Sequence, residues 1–460
     1  MKATKIFMMA ALALTFAACS NNDDNDFAQQ PAAQPANGEI TITATLDASD
    51  GASTRALSVD GSNIASTWET TDEFAILYNN GTEDTKSIAT VDKIDGTTVT
   101  ITFTVSSSLA NNTACTIVYP ASAANAAKTG ADVATALATQ DGTIGNCPEV
   151  RVGTATIDKD NHNLSSVTKL EAQNAIFKFT LSGQSIDATH PLVIKKGENE
   201  VVTTVTPTSS KTSVYVAMPS AASSDYRFIV TTDNNKYIKS GTAAITAGKY
   251  YQTTLDLTAR YPLALSSATV DDLGSVIDSD GKIYLNMTAA TNASTTAVAK
   301  IVYVGSDNGE ATPYNHGLAL ALSDASTGCK WSTSTGNVHT YKADHSYSFA
   351  SESGLQYNDA THNSEFYPAF KAAITYSPAA PTVCCSSWFL ASGYQWKQMI
   401  GATGLNNLGL TGNAYYWSST ERTNGSAWII STFDVDWGSW SSIDKDGDSG
   451  LSRVRACLAF

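Results

Sequence analysis

The sequence predicts a mainly β protein built as two successive β-sandwiches followed by a tryptophan-rich last third that carries a helix. Three observations lead there. Short runs of alternating apolar and polar residues recur between clusters of Gly, Asn and Asp, which is the period of half-buried strands joined by turns. Only 15% of the residues are charged, while Thr, Ser and Ala are abundant, a composition typical of exported all-β proteins. Seven of the eight tryptophans lie at or beyond Trp331, so the last third differs in kind from what precedes it. At 460 residues the chain is too long for one core, and two or three domains are expected.

Residues 1–18 open with Lys2 and Lys5, continue as an apolar run from Ile6 to Ala18, and end in small residues against Cys19. That is a secretory signal peptide with its cleavage site, too short to cross a bilayer as a mature helix. Residues 19–38 form a tether: Ser20–Asp26 is polar and acidic, and Gln29–Gly38 is a spacer rich in Ala, Pro and Gln with no apolar period. The first sandwich is expected over 39–160. In Glu39–Leu46, Ile40, Ile42, Ala44 and Leu46 share one face and Thr41, Thr43 and Thr45 the other, the pattern of a half-buried strand. Further strands are expected at Glu73–Tyr78, Thr98–Val105 and Cys115–Tyr119. The second sandwich, over 161–260, takes Ala175–Leu181, Val214–Pro219, Arg227–Thr231 and Tyr250–Leu257. Tyr261-Pro262 marks the boundary of a third unit over 261–460. There Ser392 and Gln395 have the spacing of a capping box, so a helix should start with Trp396 and Ile400 facing inward. Strands are expected at Tyr415–Glu421, Ala427–Phe433 and Ser452–Phe460.

The net charge of −15 argues against nucleic acid or an anionic membrane surface as partner, because neutralising phosphates needs clusters of Lys and Arg. Six cysteines follow Cys19, an even number in an exported chain, so disulfides are expected. Cys115 and Cys147 fall in the first half and could pair. Cys329, Cys384, Cys385 and Cys457 fall in the last third, with Cys457 expected to join Cys329 or one of the doublet. No HExxH, phosphate loop, nucleophile elbow or cysteine–histidine motif occurs, so an enzyme is not expected. No cofactor is expected beyond Ca²⁺, for which Asp444, Asp446 and Asp448 stand at alternate positions. The competing reading of that segment is an acidic turn between strands. Trp417, Trp428, Trp437 and Trp440 are the candidate ligand-binding residues, since an indole offers an apolar face with an N–H donor. Trp437 and Trp440, in a Gly/Ser-rich stretch, are the better candidates for exposure, and Trp417 and Trp428 lean toward the core.

Three resemblances add to this reading. Residues up to Cys19 resemble the lipobox of bacterial lipoproteins, with Phe16 where Leu is usual, and the acidic residues after it resemble the surface-export signal of Bacteroidetes lipoproteins. The implied location is the outer membrane and cell surface, through an acylated Cys19. Four stretches in residues 39–258 resemble the fimbrillin family: the early strand with Ser53-Thr54-Arg55-Ala56, Thr67–Glu73, Val214–Pro219, and Ile245–Tyr251 before the last strand. That resemblance implies two transthyretin-like sandwiches in a pilus subunit, with a processing cut between Arg55 and Ala56. The cut would release the first strand so that a neighbouring pilus subunit donates its own. The ordered set Trp388–Trp396, Tyr415–Glu421, Ala427–Phe433 and Ser452–Phe460 resembles the C-type-lectin-like modules related to the formylglycine-generating enzyme fold, with Ala391 in place of a common proline. It implies an α+β adhesin domain for a glycan or host surface ligand. Its last strand is consumed in its own sheet, so the subunit would cap a fimbrium. The alternative is a lipid-anchored surface glycan- or protein-binding protein that never polymerises. Replacing Cys19 with Ala is expected to abolish metabolic acyl labelling and to release the protein from the membrane fraction; unchanged labelling would refute the lipobox assignment.

Overall fold

The structure is a computed structural model that describes residues 38–47, 56–60, 63–96, 98–125, 130–333, 352–433, 439–446 and 452–460. Among these, no helix is long and apolar enough to cross a membrane.

The first unit holds β1 (Glu39–Asp47), β2 (Ala56–Asp60), β3 (Asn63–Thr67), β4 (Glu73–Asn79), β5 (Asp84–Asp95), β6 (Thr98–Ser106), β7 (Thr113–Tyr119), β8 (Ala124–Asn125) and β9 (Gly130–Ala131). After α1 (Val133–Leu137) come β10 (Thr139–Gln140), β11 (Arg151–Asp158), β12 (Asn163–Ser165) and β13 (Glu171–Ala172). One sheet runs β12-β1-β6-β5-β4-β7-β11-β13, and β12 also pairs with β11. The ring of strands therefore closes, and the unit is a barrel rather than the expected sandwich. Two features make closure possible. The long β5 carries a bulge between Val91 and Lys93, which bends and twists a strand. The three residues of β12 then bridge both free edges, parallel to β1 and antiparallel to β11. The sheet also runs past the expected limit at residue 160, taking in β12 and β13.

Ile42, Leu46, Phe74, Ile76, Val99, Ile101, Ile117 and Ile157 fill the barrel. Trp68 packs on Phe74 at 5.2 Å and meets Tyr119 edge-on at 5.3 Å. Asp72 accepts from the Tyr119 hydroxyl at 2.9 Å and from the Glu69 amide at 2.8 Å. The Thr67–Glu73 stretch is thus a plug with a polar latch. β4 is buried along both faces, because Ala75 and Leu77 join Val118 of β7 in an outer apolar patch with Leu137, Cys147, Val150, Ile176 and Ala217. That patch seats the second unit.

The second unit contains β14 (Asn174–Ser182), β15 (Leu192–Lys196), β16 (Glu200–Val205), β17 (Ser213–Pro219), β18 (Ala221–Thr231), β19 (Lys236–Ile245), β20 (Tyr250–Asp256) and β21 (Thr258–Ala259). Here the expected sandwich is present. A six-stranded sheet, β10-β16-β15-β18-β19-β21, faces the three-stranded sheet β17-β14-β20 across Phe179, Leu192, Ile194, Val205, Val214, Val216 and Val230. Gln140 ties the sheets together: its amide donates to Thr203 Oγ1 and the Ala217 carbonyl at 3.0 and 2.8 Å, and its carbonyl accepts the Ala217 N–H at 2.8 Å.

The third unit contains β22 (Leu263–Ala264), β23 (Val276–Asp278), β24 (Lys282–Tyr284), α2 (Met287–Asn292), β25 (Ala297–Val304), β26 (Gly317–Ala321), β27 (Ser326–Cys329), α3 (Pro368–Ile374), β28 (Phe389–Leu390) and α4 (Gly393–Thr403). It ends with β29 (Tyr415–Thr423), β30 (Ser426–Ser431), β31 (Ser439–Asp444), β32 (Ser452–Val454) and β33 (Ala456–Ala459). A seven-stranded sheet, β22-β24-β23-β25-β26-β33-β28, accompanies a five-stranded one, β27-β32-β29-β30-β31. The capping box at α4 forms as expected: Ser392 Oγ accepts the Gln395 N–H and Gln395 reaches back to the Ser392 N–H. Trp396 is fully buried beside Met399 and the half-buried Ile400. The single terminal strand expected at 452–460 is instead two strands in different sheets. Arg455 breaks it, because its guanidinium turns inward to Asp324 Oδ1 at 2.9 Å and the Ala321 carbonyl at 2.9 Å, while Arg453 takes Asp324 Oδ2 at 2.8 Å.

The second and third units meet through polar groups. Asn235 and Tyr261 exchange hydrogen bonds at 2.8 and 3.0 Å. Arg227 pairs with Asp271 and Arg260 with Asp272, which also accepts from the Tyr261 hydroxyl at 2.8 Å. Burial draws the Lys236 ammonium down to about 8, with Asp272 working in the opposite direction. Burial also works against ionising Asp272, but hydrogen bonds from Arg260, the Thr269 amide and Tyr261 outweigh it and hold the carboxyl below its ordinary value. A depressed carboxyl contributes stability that is complete above its ordinary pKa and is lost as pH falls through the folded one. Arg260→Ala leaves that buried carboxylate short of its main partner and should cost ~3–5 kcal/mol. Thermal melts should show the loss near neutrality and a smaller difference between variant and parent once the pH falls below the folded pKa of Asp272.

Candidate functional site

Two regions answer to the residues singled out in the sequence. The first is the seat of β1. Its nine residues pair antiparallel with β6 from Glu39↔Ser106 to Asp47↔Thr98. On its other side a single ladder pair joins it to β12, Thr43↔Asn163, supplemented by the Thr43 amide on the His162 carbonyl at 3.0 Å. β1 is therefore hydrogen-bonded along one edge and only pinned along the other. Ile42 and Leu46 are fully buried and Ala44 is 6% exposed; opposite them stand Phe103, Val99 and Ile101. Outward, Thr43 and Thr45 meet Thr102 and Thr100 at 3.3 and 3.5 Å, cross-strand pairs that suit β-branched polar residues. Burying each large aliphatic of β1 is worth ~1.5–3 kcal/mol, so β1 leaves its seat only for an equivalent strand. Ala56 opens β2, while Arg55 lies outside the described residues.

The second region is the five-stranded sheet of the third unit. Trp417 is 0% exposed and its indole N–H donates to the Cys329 carbonyl at 2.8 Å. Trp428 is 5% exposed, with the Arg422 guanidinium 5.2 Å from its ring centroid. Both are buried, the placement toward which the sequence reading leaned. Trp440 is half-buried, opposite Ile430 and packed against the second core of the unit, and Trp437 lies outside the described residues. What the sequence reading missed is an aromatic pair at the end of this sheet: Tyr415, 40% exposed, and Phe433, 55% exposed, with ring centroids 4.9 Å apart. The available signal was parity. Tyr416 and Ile430 point into the core, so Tyr415 must point the other way.

All six cysteines from Cys115 onward are free thiols, which overturns the expected disulfides. Cys115 lines the barrel interior, whereas Cys147 lies in the outer patch, so the barrel wall stands between them. Cys457 faces one core of the third unit, while Cys385 and Cys329 lie with the other, on opposite sides of β33. Burial pushes the Cys115 and Cys385 thiols up to about 12. Cys384 is exposed. Among the described residues no three His, Cys, Asp or Glu are placed to share a metal. Asp444 is exposed, Asp446 half-buried and Asp448 outside the described residues. Between the first two, Lys445 is buried in an ion pair with Glu421, its ammonium 4.9 Å from the Trp331 ring centroid. Cys19 also lies outside the described residues.

No protein-family model matches the chain, and no curated protein does. The solved structures that the chain matches include fimbrial and putative cell adhesion proteins. A fimbrial protein from Bacteroides ovatus matches 93% of this chain and 100% of its own, at 13% identity and a TM-score of 0.29. A fimbrial assembly protein from Parabacteroides distasonis matches 48% of this chain and 98% of its own, at 12% identity and a TM-score of 0.26. The tip fimbrial protein from Porphyromonas gingivalis, truncated at its C-terminus, matches 44% of this chain and 81% of its own, at 12% identity and a TM-score of 0.20. At that level of similarity, function has to come from this chain's own residues.

The two classes of aromatic residue predict opposite behaviour. Trp417→Ala should cost ~3–5 kcal/mol through the cavity it leaves, whereas Tyr415→Ala and Phe433→Ala should leave the melting temperature nearly unchanged. Thermal melts of the three variants check this.

Proposed function

We propose that the chain is a fimbrial subunit, exported as an outer-membrane lipoprotein through Cys19, cut after Arg55, and assembled by donor-strand exchange. Its third unit, C-type-lectin-like, sits at the fibre tip as an adhesin. The observation that carries this reading is the seat of β1. The first described strand fills the barrel with an apolar row yet is bonded in full along one edge and only pinned along the other, and the eight residues after it contain a lone arginine. A cut at Arg55 would detach β1 from the covalent chain without breaking any other strand. Backbone groups of β6 and the emptied interior would then accept an extended segment from a neighbour, the strand-addition mode of recognition.

The tip position is supported at the other end. β33 pairs with β26 on one side and β28 on the other, and all four of its residues are fully buried. The Phe460 carbonyl accepts the amides of His316 and Gly317 at 2.6 and 2.9 Å. That strand is committed to its own sheet and is not available for donation. The exposed Tyr415–Phe433 pair, close in sequence to Trp437 and Trp440, supplies flat apolar faces for a glycan or protein ligand.

Arg55→Ala is expected to fold and melt like the parent and to be absent from fibres, because β1 stays seated. Full-length variant recovered from purified fibres would rule this assembly route out.

A further inference from the structure

The seat of β1 is flanked by β6 along its whole length but by β12 only at its middle. Thr43 registers with Asn163 in parallel, which places Leu164 of β12 beside Ala44. Leu164 is the inward apolar residue of β12, so Ala44 lies between it and Ile101, both buried. Ile42 precedes the start of β12 and Leu46 lies beyond its end at Ser165, so each meets a β6 residue on one side and has no β12 residue beside it on the other. The only small inward residue of β1 therefore stands where the partner strand intrudes.

We propose that this seat selects its occupant by size: a replacing strand must read large–x–small–x–large at the positions of Ile42, Ala44 and Leu46. This rests on the strand-exchange reading. The occupant is an extended segment of another chain, running in the direction of β1 so as to keep the ladder to β6, with alternating apolar residues and a central Ala, Gly or Ser. Interiors are close-packed and do not yield to added methylenes without strain, so a Leu or Ile at the centre would collide with Ile101 and Leu164. Outward positions carry no such rule, since Thr43 and Thr45 are exposed. The chain's own terminal segment carries the pattern at Val454, Ala456 and Leu458, but those residues are buried in the core of the third unit. Because β33 is paired on both sides in its own sheet, the donor is a different subunit.

The test uses the full chain with a specific protease site placed between Asp47 and Ala56, cut and then offered labelled synthetic peptides. The parent peptide, Glu39–Asp47, should enter. A peptide with Leu at the position of Ala44 should bind at least ~10-fold more weakly, and one with Val at the position of Thr43 should bind like the parent. In the uncut chain, Ala44→Leu should lower the melting temperature and Thr43→Val should not. Equal binding of the parent and Leu peptides, or an unchanged melt for Ala44→Leu, overturns the size rule alone. A parent peptide that never enters the cut chain, beside a lowered melt for Ala44→Leu, overturns strand exchange and the donor selection with it.

Discussion

The closure of the barrel by β1 is the constraint on which the rest of the molecule depends. Without β1, β6 loses a nine-residue partner and the ring opens between β6 and β12. The interior row of Phe74, Ile76 and Ile117 belongs to β4 and β7, and the same two strands present Ala75, Leu77 and Val118 outward to the second unit. A sheet with apolar residues on both faces cannot slip by one residue without exchanging its inner and outer sets. The barrel core therefore fixes the register of the surface on which the sandwich rests. The sandwich in turn carries Arg227 on β18 and Lys236 on β19, the groups that receive Asp271 at the edge of the third unit.

The two seams between units use different physics. The barrel–sandwich seam is apolar, so its strength follows buried area and varies little with pH. The sandwich–third-unit seam is built from charged groups taken out of water, where desolvation offsets much of the Coulomb attraction. Such a seam contributes geometry more than net stability. The Asn235–Tyr261 exchange and the Arg260–Asp272 pair each demand one orientation. The third unit is thereby held in one attitude to the sandwich.

Much of the fold was legible in the sequence because it is local. Period two in Glu39–Leu46 gave β1 and its inward face, and the Ser392/Gln395 spacing gave the start of α4. β5 was missed because its exposed positions are rich in Lys, Asp and Thr and its apolar residues are few. Barrel closure was not legible, since it turns on three residues of β12 with no propensity signal of their own. The terminal strand was read as continuous because the cause of its break, Asp324, lies some 130 residues upstream of Arg455. The disulfides failed for a related reason. Cysteine parity and export favour pairing, but face assignment across a sheet forbids it, and faces are set by tertiary register. Trp417 and Trp428 lie in strands buried on both faces, where alternation does not separate core from surface.

β1 and β33 are held in the folded body in unlike ways. β1 fills a cavity built by later parts of the chain, bonded along β6 and pinned by β12 and the His162 carbonyl. β33 is an interior strand, bonded on both sides, and the cores on its two faces are each completed by its alternate residues. Removing β1 would leave a barrel with one open seam and a defined vacancy. Removing β33 would separate β26 from β28 and open both cores of the third unit at once. The first change is reversible by any strand of matching shape, and the second amounts to unfolding. The two strands are thus held by different means, β1 by one full edge and a pin, β33 by two neighbours and two cores.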